Sequence, residues 1–388
     1  RKPEQDEGVP YEKNGYRYQW RFKAGDQYRV WLRQSTEDTS NVWETLLNEN
    51  SLAEGCEYFR LGALAVSPDG TKLAYSTDTN GSERFILQVI EIASGNALTT
   101  PIENCAGSVV WNADSDGFAY RLVNENWRPD KALYRSLLGG DDALLYQEED
   151  DAFFVGLGLS QSEQLMFITS GDHVTSEVRF VPRSDLLAEQ ELIQSRREGH
   201  EYDVEHQGDS AETGRLIIRS NRNHPNFDLF ETPVASPEEA SWQMLLPGDA
   251  NHYLVGHMAF ADALVVCLRI DGLDQIQIVS GDDGQLIEFP EPAYSVDLDT
   301  NPNYRTSTLR LAYTSMVTPQ TVLEYDWQTK ALTSLKVQEI PGGYETSDYV
   351  SERLQVIARD GTHVPMSLVR HKDTLVNGTA PVYLYGYG

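Results

Sequence analysis

One short segment comes close to a motif with known chemistry. Serine hydrolases of the α/β type carry the nucleophile in a Gly-x-Ser-x-Gly turn, and an acid and a histidine follow later in the chain. Residues 158–162 have the sequence Gly-Leu-Ser-Gln-Ser, which lacks the closing glycine. No complete copy of the motif occurs among the 388 residues. The sequence therefore predicts that Ser160 lies in a structural turn and that this chain carries no catalytic triad.

Metal and cofactor motifs are missing in the same way. His200 and His206 are six residues apart with no cysteine nearby, and His252 and His257 are five apart, so neither pair has the pattern of a zinc site. The acidic run at residues 148–151 has no EF-hand spacing and is typical of a solvated loop. We expect neither a metal ion nor an organic cofactor.

The charge balance limits the partners. Sixty acidic residues against 31 lysines and arginines give a net charge of −29, which repels phosphate polyanions, and no basic stripe is present. No run approaches the ~20 apolar residues of a membrane-spanning helix. We therefore expect neither nucleic acid nor a membrane as a partner. Two interpretations of the acidity remain open: a solvated surface that keeps the protein soluble, or a field that attracts cationic peptides.

The three cysteines, Cys56, Cys105 and Cys267, are far apart and form no Cys-x-x-Cys pair. This pattern predicts reduced thiols in a reducing compartment, so we expect a cytoplasmic protein without disulfides. The first residues contain no initiating methionine, and no basic segment precedes an apolar one, so no secretory signal is visible. This start and the abrupt end at Gly388 lead us to expect a fragment of a longer chain.

A polar turn followed by a short apolar strand recurs along the chain. The two clearest turns are Ser-Pro-Asp-Gly at residues 67–70 and an Asn/Asp/Ser-rich turn at residues 112–117. The third strand residues of the six copies, at intervals of 45 to 50 residues, are Tyr75, Tyr120, Ile168, Ile218, Val266 and Tyr313. A repeat of ~40–50 residues suits one four-stranded propeller blade.

An earlier pair of apolar strands, at residues 16–20 and 28–32, adds a seventh unit to these six. Helical periodicity is scarce along the whole chain. The sequence therefore predicts an all-β fold, a seven-bladed β-propeller over residues 1–343.

A different pattern follows the turn-rich residues 339–343. Two apolar runs flank Asp360 and Gly361, and an Asp-Gly pair in this setting is a strong hairpin signal. A polar connection then leads to a further predicted strand at residues 381–385. Residues 344–388 therefore form a second, smaller region.

This second region resembles the entry to the catalytic domain of the prolyl oligopeptidase family. The resemblance rests on residues 358–369, Ala-Arg-Asp-Gly-Thr-His-Val-Pro-Met-Ser-Leu-Val, and on residues 384–388, Leu-Tyr-Gly-Tyr-Gly. The Ser-Leu-Val ending is more similar to the oligopeptidase B (protease II) branch than to prolyl oligopeptidase itself. Residues 9–18, 199–202 and 216–223 carry supporting likeness upstream.

The resemblance implies a serine endopeptidase that cleaves short, cationic peptides after lysine or arginine. It implies that residues 344–388 are the first strands of an incomplete α/β-hydrolase domain and that the serine, aspartate and histidine lie beyond Gly388. The propeller would then restrict access to a C-terminal catalytic domain, and this chain alone would be inactive. By its place in the Tyr-Gly-Tyr-Gly segment, Tyr387 is expected to donate its hydroxyl to the oxyanion.

Two other functions remain open. A propeller that binds proteins or peptides without catalysing a reaction has the same repeat, although such a scaffold has no use for the hairpin and the Tyr-Gly-Tyr-Gly tail. Prolyl oligopeptidase itself differs from the first interpretation only in its substrate.

Overall fold

β-Strands form most of the regular structure in the computed structural model, which describes residues 3–40, 42–281 and 283–386. The helices among these residues are short: α1 (Glu49–Leu52) and the 3₁₀ turns Glu239–Ser241 and Thr346–Asp348. No helix in this part of the chain is long and apolar enough to cross a membrane.

The first sheet has five strands. They are β1 (Asp6–Glu7), β2 (Tyr11–Lys13), β3 (Tyr16–Phe22), β4 (Val30–Ser35) and β5 (Glu44–Asn48). β1 and β2 both pair with β3, at its two ends, so together they make one interrupted innermost strand. The sheet is therefore an antiparallel meander with four strand positions, as the repeat predicts.

The second sheet has seven strands, one of which pairs with strands of two successive repeats. The strands are β6 (Arg60–Val66), β7 (Lys72–Asp78), β8 (Phe85–Glu91), β9 (Ile102–Trp111), β10 (Gly117–Val123), β11 (Pro129–Ser136) and β12 (Ala143–Gln147). The beginning of β9 pairs with β8, through Ile102 and Cys105, and the stretch from Cys105 to Trp111 pairs with β10, so Cys105 has a partner on each side.

Four further sheets follow, each of four antiparallel strands. The third contains β13 (Phe154–Leu159), β14 (Leu165–Gly171), β15 (Ser176–Pro182) and β16 (Glu191–Gln194). The fourth contains β17 (Tyr202–Gln207), β18 (Arg215–Ser220), β19 (Asp228–Pro233) and β20 (Gln243–Leu246). The fifth contains β21 (His252–Ala259), β22 (Leu264–Ile270), β23 (Leu273–Ser280) and β24 (Asp283–Leu286). The sixth contains β25 (Ser295–Leu298), β26 (Thr308–Thr314), β27 (Thr321–Asp326) and β28 (Ala331–Val337).

The polar turns of the repeat have the geometry that their residues favour. Gly70 has φ +71°, which only glycine adopts without strain, and the side chain of Asp69 accepts a hydrogen bond of 2.9 Å from the backbone N–H of Thr71. In the next repeat, the side-chain oxygen of Asn112 accepts from the backbone N–H of Gly117 at 3.2 Å. These local contacts explain why the turns were visible in the sequence.

The core consists of separate apolar clusters, each between neighbouring blocks of strands. Representative buried members, one from each of six clusters in chain order, are Leu73, Phe118, Met166, Leu216, Leu264 and Leu311. Each sheet thus packs on the next, as in a propeller. The expectation of an all-β propeller is confirmed.

The second region is a two-stranded hairpin, β29 (Tyr349–Ile357) and β30 (His363–His371). Its strands pair with each other along their whole length and with no other described strand. Gly361 has φ +89° in the predicted Asp-Gly turn. The expected strand at residues 381–385 is wrong, because these residues have no described neighbour to pair with and extend without secondary structure.

Candidate functional site

The predicted catalytic residue Tyr387 lies outside the residues that the structure describes, as does Gly388. The residues just before it, Val382 and Leu384, are 82% and 74% exposed. The described residues therefore include the segment of chain that leads to Tyr387 but not the predicted oxyanion donor itself.

Ser160 does not belong to a nucleophile elbow. It lies in the turn between β13 and β14, as predicted, and its hydroxyl contacts that of Ser162 at 2.9 Å. The Oγ of Ser162 is 2.7 Å from Nδ1 of His206, a serine–histidine pair that sequence reasoning missed.

This serine–histidine pair is structural. Ser162 and His206 are 5% and 0% exposed, so no substrate reaches them. Nε2 of His206 lies 3.0 Å from the carbonyl oxygen of Thr213 and must donate to it, which leaves Nδ1 to accept from the serine. Burial lowers the pKa of His206, so the ring stays neutral and holds two turns together.

The turns between the first and second strands of the sheets meet at one end of the ring, which we call the closed end (residues 13–16, 67–71, 112–116, 160–164, 208–214, 260–263 and 299–307). Lys13 of the first sheet forms an ion pair with Glu163 of the third. The side-chain amide of Gln161 donates to the carbonyl of Asn301, in the sixth sheet, at 2.6 Å. Because these sheets are not neighbours, both contacts reach across the ring.

Glu163 is the centre of this crossing network. Its second oxygen lies 2.6 Å from Nη1 of Arg183, whose side chain is 11% exposed. Burial alone would raise the pKa of Glu163, but Lys13 and Arg183 more than offset this and lower it. Glu163 also has φ +58°, a backbone conformation that a non-glycine residue rarely adopts. The network holds this turn in place across the axis.

A second carboxyl group lies in the channel wall beneath the crossing contacts. One oxygen of Glu205, on β17, accepts a hydrogen bond of 2.9 Å from the backbone N–H of Gln161. Burial raises the pKa of Glu205 to about 8, and the nearby charge of Asp203 acts in the same direction. Glu205 therefore binds a proton in the folded protein at neutral pH.

The neighbouring carboxylate, Asp203, is paired. Nε of Arg219 donates to it at 2.7 Å, and Nδ1 of His257 lies 3.3 Å from its other oxygen. Nε2 of His257 lies 3.0 Å from the carbonyl oxygen of Ile217, and burial lowers the pKa of this histidine. Among the described residues, no three His, Cys, Asp or Glu side chains lie close enough to hold a metal ion.

The opposite end of the ring carries the hairpin, and we call it the hairpin end (residues 23–29, 79–84, 124–128, 172–175, 221–227, 271–272 and 315–320, the turns between second and third strands). The Tyr344 hydroxyl donates to the carbonyl of Val317, and Arg353 donates to the carbonyl of Asp271. The hairpin touches the fifth sheet there and the residues just before it touch the sixth, while apolar side chains of the hairpin remain exposed, such as Ile357 at 66%.

Comparison with known proteins places the propeller in a family. A family model described as the prolyl oligopeptidase N-terminal beta-propeller domain matches residues 1–338. Dipeptidyl aminopeptidase BI from Pseudoxanthomonas mexicana is 31% identical over 99% of this chain and 55% of its own length. Protease 2 from Moraxella lacunata is 30% identical over 100% of this chain and 56% of its own length.

Solved structures of oligopeptidase B are also similar to this chain. Oligopeptidase B from Leishmania major superposes with a TM-score of 0.88 at 25% identity, over 96% of this chain and 54% of that one. Oligopeptidase B from Trypanosoma brucei, in a closed form with covalently bound antipain, has a TM-score of 0.88 at 28% identity, over 100% of this chain and 56% of that one. The chain thus spans about half the length of the relatives it matches.

Proposed function

The chain belongs to the prolyl oligopeptidase family as its N-terminal β-propeller, and on this premise we propose that it is the propeller and linker of a serine oligopeptidase that cleaves short peptides after lysine or arginine. The observation that carries the proposal is the likeness to two oligopeptidase B structures, which extends past the propeller and over the hairpin. The similarity to protease 2 points in the same direction.

The catalytic triad belongs to the part of the longer protein that this chain does not contain. The relatives are nearly twice as long as the matched region, and no Gly-x-Ser-x-Gly motif occurs in the 388 residues. The C-terminal catalytic domain is therefore the partner of the hairpin, and its remaining strands would pair with the free edges of β29 and β30. This pairing would cover the apolar side chains that the hairpin exposes.

The domain boundary falls near residue 343, so that residues 1–343 are the propeller and residues 344–388 begin the catalytic domain. Support comes from the last propeller strand, which ends at Val337, and from the family match, which ends at residue 338. Gly342 and Gly343 follow with φ +98° and +66°, a turn that separates the two regions.

The propeller has seven blades in this proposal. The second sheet then represents two blades that share β9, since this strand pairs with β8 near its beginning and with β10 from Cys105 to its end. The first, third, fourth, fifth and sixth sheets supply one blade each.

The propeller restricts access by obstructing one end of its channel. Lys13, Glu163 and Gln161 cross the axis at the closed end, so peptides would reach the active site at the hairpin end. In this account a folded protein would be too wide to enter between the two domains, whereas a short extended peptide would fit. The net charge of −29 favours the approach of cationic peptides. The three unpaired cysteines support a cytoplasmic location for the protein.

Tyr387 is the oxyanion donor in this account. A hydroxyl placed against the developing negative charge stabilises the transition state and contributes little to substrate binding. Its support is its place in the Tyr-Gly-Tyr-Gly segment, which directly follows the hairpin.

A cleavage profile of the full-length protein tests the substrate class. We expect cleavage after lysine and arginine in a mixture of short peptides, and none in a folded protein that displays arginines on its surface. Preferential cleavage after proline would replace oligopeptidase B by prolyl oligopeptidase as the function. Rapid digestion of the folded protein would contradict the role of the propeller in access.

A further inference from the structure

Trp127 is exposed and yet firmly held. It lies in the turn between β10 and β11 at the hairpin end, and its side chain is 59% exposed. Its indole Nε1 donates to the carbonyl of Ser82 at 2.9 Å, and the guanidinium of Arg84 lies 4.9 Å from the ring centroid. Trp127 has φ +58°, and such a left-handed conformation costs a bulky L-residue ~1–2 kcal/mol. The turn therefore keeps a strained backbone while presenting an indole ring to the surface.

The surrounding loop is fixed by hydrogen bonds that do not depend on the ring. Nη2 of Arg84 donates to the carbonyl of Asn124 at 2.6 Å, and Nη1 donates to the carbonyl of Val123 at 3.3 Å. The side-chain oxygen of Asn124 accepts from the backbone N–H groups of Asn126 and Arg128 at 2.9 and 3.1 Å. Little conformational entropy is thus lost when another surface binds the ring, which is a property of interface hot spots.

The position of Trp127 relative to the hairpin indicates what covers it. The hairpin contacts the fifth sheet at Asp271, Tyr344 just before the hairpin contacts the sixth sheet at Val317, and Trp127 belongs to the second sheet, on the other side of the ring. Both lie at the same end, because second-to-third-strand turns of all sheets point the same way. Val174 and Met316, in equivalent turns, are also about half exposed. In contrast, no described residue in the turns that define the closed end is a large exposed apolar one.

We propose that Trp127, held by Arg84, is the contact by which the second sheet of the propeller docks on the catalytic part of the longer protein, across the ring from the hairpin that joins the two. The inference rests on the proposed function. A catalytic domain attached only through the hairpin and the residues just before it would pivot at the fifth and sixth sheets. Its opposite rim would then meet the second sheet when the two domains close, and the ring of Trp127 would be buried there.

Hydroxyl-radical footprinting of the unsubstituted protein tests the contact. The oxidation rate of Trp127 is measured by peptide mass spectrometry in the full-length protein and in the 388-residue chain. The internal control is Leu138, which is 83% exposed in the turn between β11 and β12. We expect Trp127 to be oxidised about fivefold more slowly in the full-length protein, as for a contact formed in about four molecules in five, and Leu138 to be oxidised equally in both.

Three results would overturn the proposal. Equal oxidation of Trp127 in the two proteins would show that no domain covers it. Protection in the 388-residue chain that grows with protein concentration would assign the surface to a second copy of the chain. Protection of that chain by added arginyl peptide would assign it to the substrate. Cleavage specificity is measured separately, so a full-length protein that protects Trp127 without cleaving arginyl peptides would refute the proposed substrate class and leave the contact standing.

Discussion

The two ends of the propeller channel differ in how completely their side chains are satisfied. At the closed end, Glu163 has two cationic partners and Gln161 reaches across the axis to Asn301. At the hairpin end, Trp127 is exposed, and the strands of the hairpin have free edges. The described turn residues of the closed end expose no large apolar side chain, whereas the exposed apolar groups of the hairpin end are typical of an interface.

This difference teaches where the chemistry belongs. At the closed end, the charge of Glu163 is paired with Lys13 and Arg183, so this carboxylate is not free to act on a substrate. The hairpin end lies beside the segment that leads to Tyr387, and it exposes apolar groups that a further domain would bury. Four substitutions test the contrast.

The largest effect is expected at the hairpin end. In the full-length protein, Tyr387→Phe should lower kcat by ~10²–10³ and leave KM nearly unchanged, because the hydroxyl would bind only the developing oxyanion. Steady-state kinetics on an arginyl peptide measures this. Tyr383→Phe, four residues earlier, is the control and should retain kcat. An unchanged kcat in Tyr387→Phe would show that this tyrosine only packs.

The next effect concerns Glu205 beneath the closed end. Its folded pKa of about 8 exceeds the ordinary value of 4.5, so the folded state binds the extra proton between these pH values, and stability falls as the pH rises through this window. Glu205→Gln keeps an acceptor for Gln161 and removes the charge. We expect it to raise the free energy of unfolding by a few kcal/mol at pH 8, and the difference to vanish near pH 4.

Urea unfolding of the 388-residue chain at pH 4, 6 and 8 measures this difference. The exposed Glu212, at the same end, provides the control Glu212→Gln, which should show no such pH dependence. Equal stability of Glu205→Gln and the parent chain at pH 8 would mean that Glu205 is solvated and ionised.

A smaller effect of opposite sign is expected for Glu163→Gln. The pKa of Glu163 is lowered in the folded state, so its stabilisation is complete above the ordinary value of 4.5 and is lost as the pH falls through the folded value. We expect Glu163→Gln to lower the free energy of unfolding by about 1–2 kcal/mol at pH 7, a value between those for surface and buried ion pairs. Thermal unfolding at pH 7 and at a series of pH values below 4.5 checks this, with the exposed Glu37→Gln as control. A loss that stays constant at every acidic pH at which the parent chain remains folded would exclude the ion pairs as its source.

The smallest effect is expected at the seam between the sixth and first sheets. Lys336 bonds to Asp6 and the carbonyl of Glu7 there, beside a cavity of about 1270 Å³, and no apolar cluster of the described residues joins these sheets. Lys336→Met should lower the free energy of unfolding by less than about 1 kcal/mol, since the ion pair of Lys336 and Asp6 is partly solvated. Urea unfolding measures it against Lys23→Met in the first sheet. If the free energy of unfolding fell by several kcal/mol, the contacts of Lys336 would be essential for holding the first and sixth sheets together.

Local patterns account for what the sequence predicted. The turn at Asp69 and Gly70 and the hairpin turn at Gly361 depend on the conformations of a few adjacent residues, so they are visible without any knowledge of the fold. The 45–50-residue interval between strands reports the repeat in the same way. The expected strand at residues 381–385 failed because a strand requires a neighbour, and no described residue provides one.

Contacts between distant residues account for what the sequence did not predict. Lys13 and Glu163 are 150 residues apart and meet only because the ring brings the first and third sheets together. The raised pKa of Glu205 and the buried pair of Ser162 and His206 have the same origin. Trp127 has no signal in the sequence beyond its type, since its strain arises in the turn that Arg84 holds.

The hydrolysis of an arginyl or lysyl peptide by the 388-residue chain and by the full-length protein tests the central claim most directly. We predict no turnover by the purified 388-residue chain. The full-length protein should cleave the peptide, and a serine-directed reagent should abolish the cleavage. Turnover by the 388-residue chain that survives thorough purification and is blocked by the same reagent would contradict the claim that the chemistry lies outside this chain.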